Sequence, residues 1–130
     1  MADSDGEPTA EYLFRVRFRV ESSDPDVALS PDRFESVLSK RAATPGEDGW
    51  LFFRDNLWHG EANDERHLRE LAEESLGVAV ESVAFRELRT DPEYLAALRE
   101  AIAADLTSFR SDSVEEALNK YLGSSVHVRD

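Results

Sequence analysis

The sequence predicts an α+β protein, a small antiparallel or mixed sheet packed by helices. Three observations predict it. Tyr12, Phe14, Val16, Phe18 and Val20 alternate with Arg15, Arg17 and Arg19, the period-two pattern of a strand with one buried face. Leu95, Leu98, Ile102, Leu106 and Phe109 recur at helical spacing behind Asp91-Pro92, a helix-opening pair. Both patterns sit in a chain of 130 residues with 41% apolar and 9% aromatic side chains, enough material for a core.

Taken in order, residues 1–10 read as a flexible acidic leader and residues 11–130 as one α+β domain. The first strand is followed by a polar loop at 21–29. Ser30-Pro31 then reads as a helix start, with Phe34, Val37 and Leu38 on one stripe. Thr44-Pro45-Gly46 and Asp48-Gly49 are turn signals that stop it. Trp50-Leu51-Phe52-Phe53 is a short apolar strand. A turn at Asp55-Asn56 would let Leu57-Trp58-His59 pair with it as a hairpin, and one continuous strand over 50–59 fits the residues equally. Asn63 is the expected cap of the next helix, which buries Leu68, Leu71, Ala72 and Leu76 and ends at Gly77. Val78 to Leu88 is the last long strand.

The long helix from Asp91-Pro92 is followed by a capping box, Ser113-x-x-Glu116, for a final helix carrying Val114, Leu118, Tyr121 and Leu122. Gly123 closes that helix, and Val126-His127-Val128 adds a short edge strand. With the hairpin, the order matches a ferredoxin-like split βαβ sandwich with two C-terminal helices.

Composition speaks to the solvent. Asp and Glu number 28 against 15 Lys and Arg, a formal charge of −13, and only Lys40 and Lys120 are lysines. Carboxylates hold water and cations well, whereas a lysine stem covers surface with methylenes, so the pairing reads as adaptation to molar salt. The acids are spread along the chain with no block of five like charges, which favours a hydrated surface over a dedicated acidic tail. No apolar run approaches the ~18 residues of a membrane span. Met1 to Ala10 has no apolar stretch of a signal peptide, so a cytoplasmic protein is expected. The absence of Cys excludes disulfides, thiolate zinc sites and Cys nucleophiles.

Residues 49–64 concentrate the unusual chemistry, with both tryptophans and two of the three Asn residues. Arg54-Asp55-Asn56-Leu57-Trp58 followed by Gly60-Glu61 resembles the LWR-salt protein family of halophilic archaea. The likeness extends from the Phe-Arg-Val strand to Tyr121-Leu122-Gly123-Ser124-Ser125. His59 stands where the family's Leu-Trp-Arg motif has its Arg. The resemblance implies a salt-loving host and no particular mechanism.

Three functional readings follow. The first is a non-catalytic binding or assembly module acting through 50–64, with Arg54, Asp55, Asn56, Trp58, His59 and Glu61 as candidates, toward a protein partner or a second copy of the chain. The second is a metal-dependent protein using His59, Glu61, Asp64 and His67, four possible ligands within nine residues that match no strong motif. The third is nucleic-acid binding through Arg15, Arg17 and Arg19, which needs them together on an uncovered sheet face; the acid excess argues against it. No phosphate-cradling glycine loop, dinucleotide fingerprint or nucleophile elbow occurs. No catalytic residue and no cofactor are therefore nominated, and no membrane partner is expected.

Overall fold

The structure is a computed structural model that describes residues 10–129, so the leader expected at 1–9 lies outside the described residues. Ala10, expected to end that leader, instead begins strand β1 (Ala10–Arg19) and is buried. The alternation of β1 works as anticipated: Tyr12, Phe14 and Val16 point into the core, and Arg15 and Arg17 point out.

The next element corrects the sequence reading. Residues 33–41 form strand β2 (Arg33–Arg41), antiparallel to β1, and not a helix. Its register sets Phe34 opposite Phe18, Ser36 opposite Val16 and Leu38 opposite Phe14. The second correction follows at once. Trp50-Leu51-Phe52-Phe53 is a turn entering a short helix α1 (Phe52–Asn56), and not a strand. A hairpin does form, but from β3 (Leu57–Trp58) and β4 (Glu61–Ala62), further along than the 50–59 pairing anticipated.

Helix α2 (Glu65–Leu76) starts at Asp64, whose carboxylate accepts the His67 N–H at 3.2 Å, so Asp64 and not Asn63 is the cap. Gly77, at φ 73°, ends it in the left-handed conformation that glycine adopts without strain. Strand β5 (Ala79–Thr90) pairs antiparallel with the other side of β1. Two register shifts leave Glu81 and Arg86 without partners across β1. Helix α3 (Pro92–Ala103) is capped by Asp91, which accepts the Tyr94 N–H at 2.7 Å. A 3-10 turn (Leu106–Phe109) leads to α4 (Val114–Leu122), where Ser113 accepts the Glu116 N–H as the capping box requires. The last described strand is β6 (Val126–Val128), parallel to β5.

The sheet order is β2-β1-β5-β6, a small mixed sheet packed by helices, and the α+β class holds. The ferredoxin-like order does not form, because the connection expected to be a helix between the first two strands is itself the edge strand β2. Inward side chains of β1 and β5 join Phe53, Leu57, Leu68, Leu98, Ile102, Phe109 and Leu122 in one core cluster. The other sheet face carries Arg15, Arg17, Arg19, Arg33, Glu35 and Glu81 and is open to solvent over that stretch.

Candidate binding site at the 57–62 hairpin

Two aromatic neighbours in α1 serve different partners. Phe52 reaches the sheet, 4.8 Å from Tyr12 and 6.3 Å from Phe14 between ring centroids. Phe53 turns the other way and stacks on Phe109 at 5.8 Å, with Trp50 and Tyr121 edge-on or tilted around the pair. Phe53 and Leu57 are fully buried, so much of the 50–64 segment is core.

The turn at its tip has a backbone task. His59 has φ 53° and Gly60 φ 80°, both left-handed. In that conformation the His59 N–H donates to the Lys120 carbonyl at 2.8 Å and the Gly60 N–H to the Tyr121 carbonyl at 3.0 Å. These are carbonyls of the last turn of α4, which have no partners within their own helix. The hairpin therefore caps the end of α4. A Cβ at Gly60 would stand 2.9 Å from the Leu122 carbonyl oxygen, so the approach admits only glycine there.

Trp58 is held at this junction and not buried by it. It is 47% exposed, lies edge-on to Tyr121 at 5.8 Å, and contacts the His59 ring at 4.6 Å. The other expected binding residues scatter. Arg54 and Asp55 pair with each other at 3.1 Å, and the Asn56 amide donates to the Phe52 carbonyl at 3.0 Å. Glu61 is opposite Trp58 in the two-residue ladder and is exposed. Tyr121 and Lys120 were missed as parts of this region; the only sequence signal was a second helix-ending glycine, Gly123, whose Cβ would meet the His59 carbonyl at 3.1 Å.

The metal reading is not supported by the geometry. Among the described residues no group of three or more His, Asp and Glu side chains gathers closely enough to hold an ion, so His59, Glu61, Asp64 and His67 share no coordination sphere. Asp64 is engaged as the α2 cap.

The arginine stripe is on the open sheet face as the third reading required, joined there by Arg33. Carboxylates interleave it. Glu35 is 3.5 Å from both Arg15 and Arg17, and Glu81 is 3.8 Å from Arg19 and 3.0 Å from Arg33. Two acids thus each bridge two guanidinium groups. Among the described residues no helix is long and apolar enough to cross a membrane.

No curated protein and no solved structure matches the chain. A family model does, over nearly the whole chain. The match covers residues 8–130 and is described as LWR-salt protein, and the chain belongs to that family.

Proposed function

We propose that the protein is a non-catalytic binding module of a salt-rich cytoplasm that docks a protein partner through Trp58. One observation carries the reading: a large indole stands half exposed on a braced platform. Leu57 before it is buried, the His59 and Gly60 amides after it are tied to α4, and Tyr121 supports one edge. A pre-positioned aromatic loses little freedom on binding, which is why such residues dominate interface energetics. The charge of −13 with two lysines supports the salt-rich setting.

Trp58→Ala tests it. Unfolding free energy should fall by less than ~1 kcal/mol, against the ~3–5 kcal/mol of a buried aromatic. A photo-crosslinking aromatic at Trp58 should give a discrete adduct in native lysate at molar KCl, and the same group at exposed Val27 should give none. A large loss of stability, or equal labelling at both positions, retires the reading.

A second reading, binding of a phosphate polyanion, is favoured by Arg15, Arg17 and Arg33, exposed on the open sheet face beside the half-buried Arg19. Molar salt weakens such binding steeply, and Glu35 and Glu81 oppose it. Retention of single-stranded RNA at molar KCl that is lost in Arg17→Glu would promote it.

A further inference from the structure

The two edges of the sheet are treated differently. Beyond β5, β6 covers Leu88 to Thr90, and the Leu88 N–H donates to the Ser125 carbonyl at 2.9 Å. Where β6 does not reach, α2 supplies carboxylates. Glu73 accepts the Val80 N–H at 2.9 Å and Glu65 accepts the Val83 N–H at 3.0 Å. The outer side of β5 is thus partly covered, and β6, three residues long, is the short outer strand there.

The β2 edge has no such cover among the described residues. Its phase follows from two bonds at its ends: Val20 N–H to Asp32 at 2.8 Å and Ala42 N–H to Ala10 at 3.0 Å. Even-numbered residues of β2 therefore exchange hydrogen bonds with β1. Glu35, Val37 and Ser39, at the centre of the strand, direct their N–H and C=O groups away from the sheet. The four residues Ser36-Val37-Leu38-Ser39 carry no charge, although charges and proline are the usual protection of a long edge. Apolar surface collects beside it. Phe34, Val37, Leu71 and Leu76 are among the exposed large hydrophobics. Leu38, Phe52, Leu68 and Leu71 line a cavity of about 240 Å³ between the edge and α2.

We infer that the β2 edge pairs antiparallel with β2 of a second copy of this chain, on a two-fold axis through Ser36, forming a continuous eight-stranded sheet. The side chains favour this register. With Ser36 opposite its own copy, Phe34 faces the partner's Leu38 on the inner side, beside the apolar cavity, and Asp32 faces the partner's Lys40. Each contact occurs twice by symmetry. Hydrogen-bonded pairs fall on Glu35 with the partner's Val37 and on Arg33 with the partner's Ser39, the phase the free groups require. An axis through Glu35 would oppose two glutamates. An axis through Val37 would oppose Arg33 with the partner's Arg41. Both put like charges directly across the ladder. An axis through Leu38 would leave Phe34 opposite the small, buried Ala42.

Two chains of −13 repel, and salt shortens the Debye length from ~10 Å at 0.1 M to ~3 Å at 1 M, so pairing should strengthen with KCl.

The test uses the full chain, which has no native Cys. Sedimentation at molar KCl should give twice the 14.6 kDa chain mass, with the dimer fraction falling at low salt. Ser36→Cys should form a disulfide dimer in air roughly tenfold or more faster than Ser39→Cys, because only the first thiol meets its own copy across a ~4.5 Å pair. Val37→Pro removes an edge N–H that β1 does not use and should yield a folded monomer, checked by circular dichroism. A monomeric wild type at every salt concentration overturns the inference. So do equal cross-linking rates for the two cysteines, or a dimer that persists in Val37→Pro.

Discussion

Both lysines of this arginine-rich chain have a particular partner. The Lys120 ammonium donates to the carbonyls of Phe109 at 2.9 Å and Arg110 at 2.7 Å, closing the 3-10 turn against α4. A compact ammonium with three donors suits two converging carbonyls better than a planar guanidinium. Lys40 lies 5.3 Å above the Phe52 ring. Tyr94 carries a polar group into the interior. Its hydroxyl donates to the Ala43 carbonyl at 2.6 Å, and burial pushes its phenol up to about 12. Tyr12 is raised further still, by burial first and then by Tyr94. The sign is set by linkage. An unfolded tyrosine releases its proton near pH 10 and the folded Tyr94 holds it to about 12, so the unfolded state binds fewer protons between those values. Stability from these phenols is complete below pH 10 and is lost as pH rises through about 12. Tyr94→Phe should lower stability by about 1 kcal/mol at neutral pH, the value of one hydrogen bond, and should flatten the alkaline decline. Urea melts on either side of pH 10 measure both; an unchanged alkaline slope would show that the Tyr94 phenol is solvated.

At the scale of elements, the 57–62 hairpin and the end of α4 form one unit, and the third position of the Leu-Trp-His motif acts there through its backbone. His59→Arg, which completes a Leu-Trp-Arg triplet, should change stability by no more than ~0.5 kcal/mol, since the side chain is exposed and the N–H to Lys120 remains. Gly60→Ala should lower it by ~1–3 kcal/mol, combining left-handed strain with a Cβ against the Leu122 carbonyl. Equal effects in thermal melts would separate the turn from the helix end. This coupling was invisible in the sequence because the hairpin and α4 are some sixty positions apart and meet through backbone groups, which any residue carries.

The strands and helices that were legible have one strong face. β1 buries Tyr12, Phe14 and Val16, and α3 buries Tyr94, Leu98 and Ile102. β2 misled because an edge strand is thinly covered. Ser36 and Lys40 share its inner side, Val37 points outward, and Phe34, Val37 and Leu38 fall by coincidence at helical spacing. Arg33 and Glu35 were therefore absent from the anticipated arginine face. Trp50 to Phe53 misled for a different reason: four adjacent apolar residues carry no period, and here they serve the sheet and the α4 side in turn.

At the scale of the whole molecule, acids outnumber bases everywhere except in small clusters. Arg15, Arg17, Arg19 and Arg33 gather on the open sheet face with Glu35 and Glu81 among them, on a chain whose total charge is −13. The Arg99–Glu115 bridge between α3 and α4, which holds the Glu115 carboxyl below its usual range, is exposed, as are the helical pairs Arg66–Glu70 and Arg69–Glu65 to differing degrees. Exposed pairs of this kind contribute little and are screened by salt, so added salt removes little attraction. Repulsion among the unpaired acids is the larger quantity. At 0.01 M the Debye length is ~30 Å, enough for carboxylates on opposite sides of a small protein to act on one another. The compact state suffers more than the extended chain, whose charges stand further apart. Melting temperature and helical circular dichroism should therefore both rise from low salt to above about 1 M KCl, the range over which the Debye length falls to ~3 Å. Mass action on a dimer would give a similar trend, so the measurement belongs in Val37→Pro as well as in the wild type. A rise that survives in that variant is relief of repulsion within one chain. Equal stability of the variant at low and molar KCl would leave the acidity of this protein to be explained by what it binds.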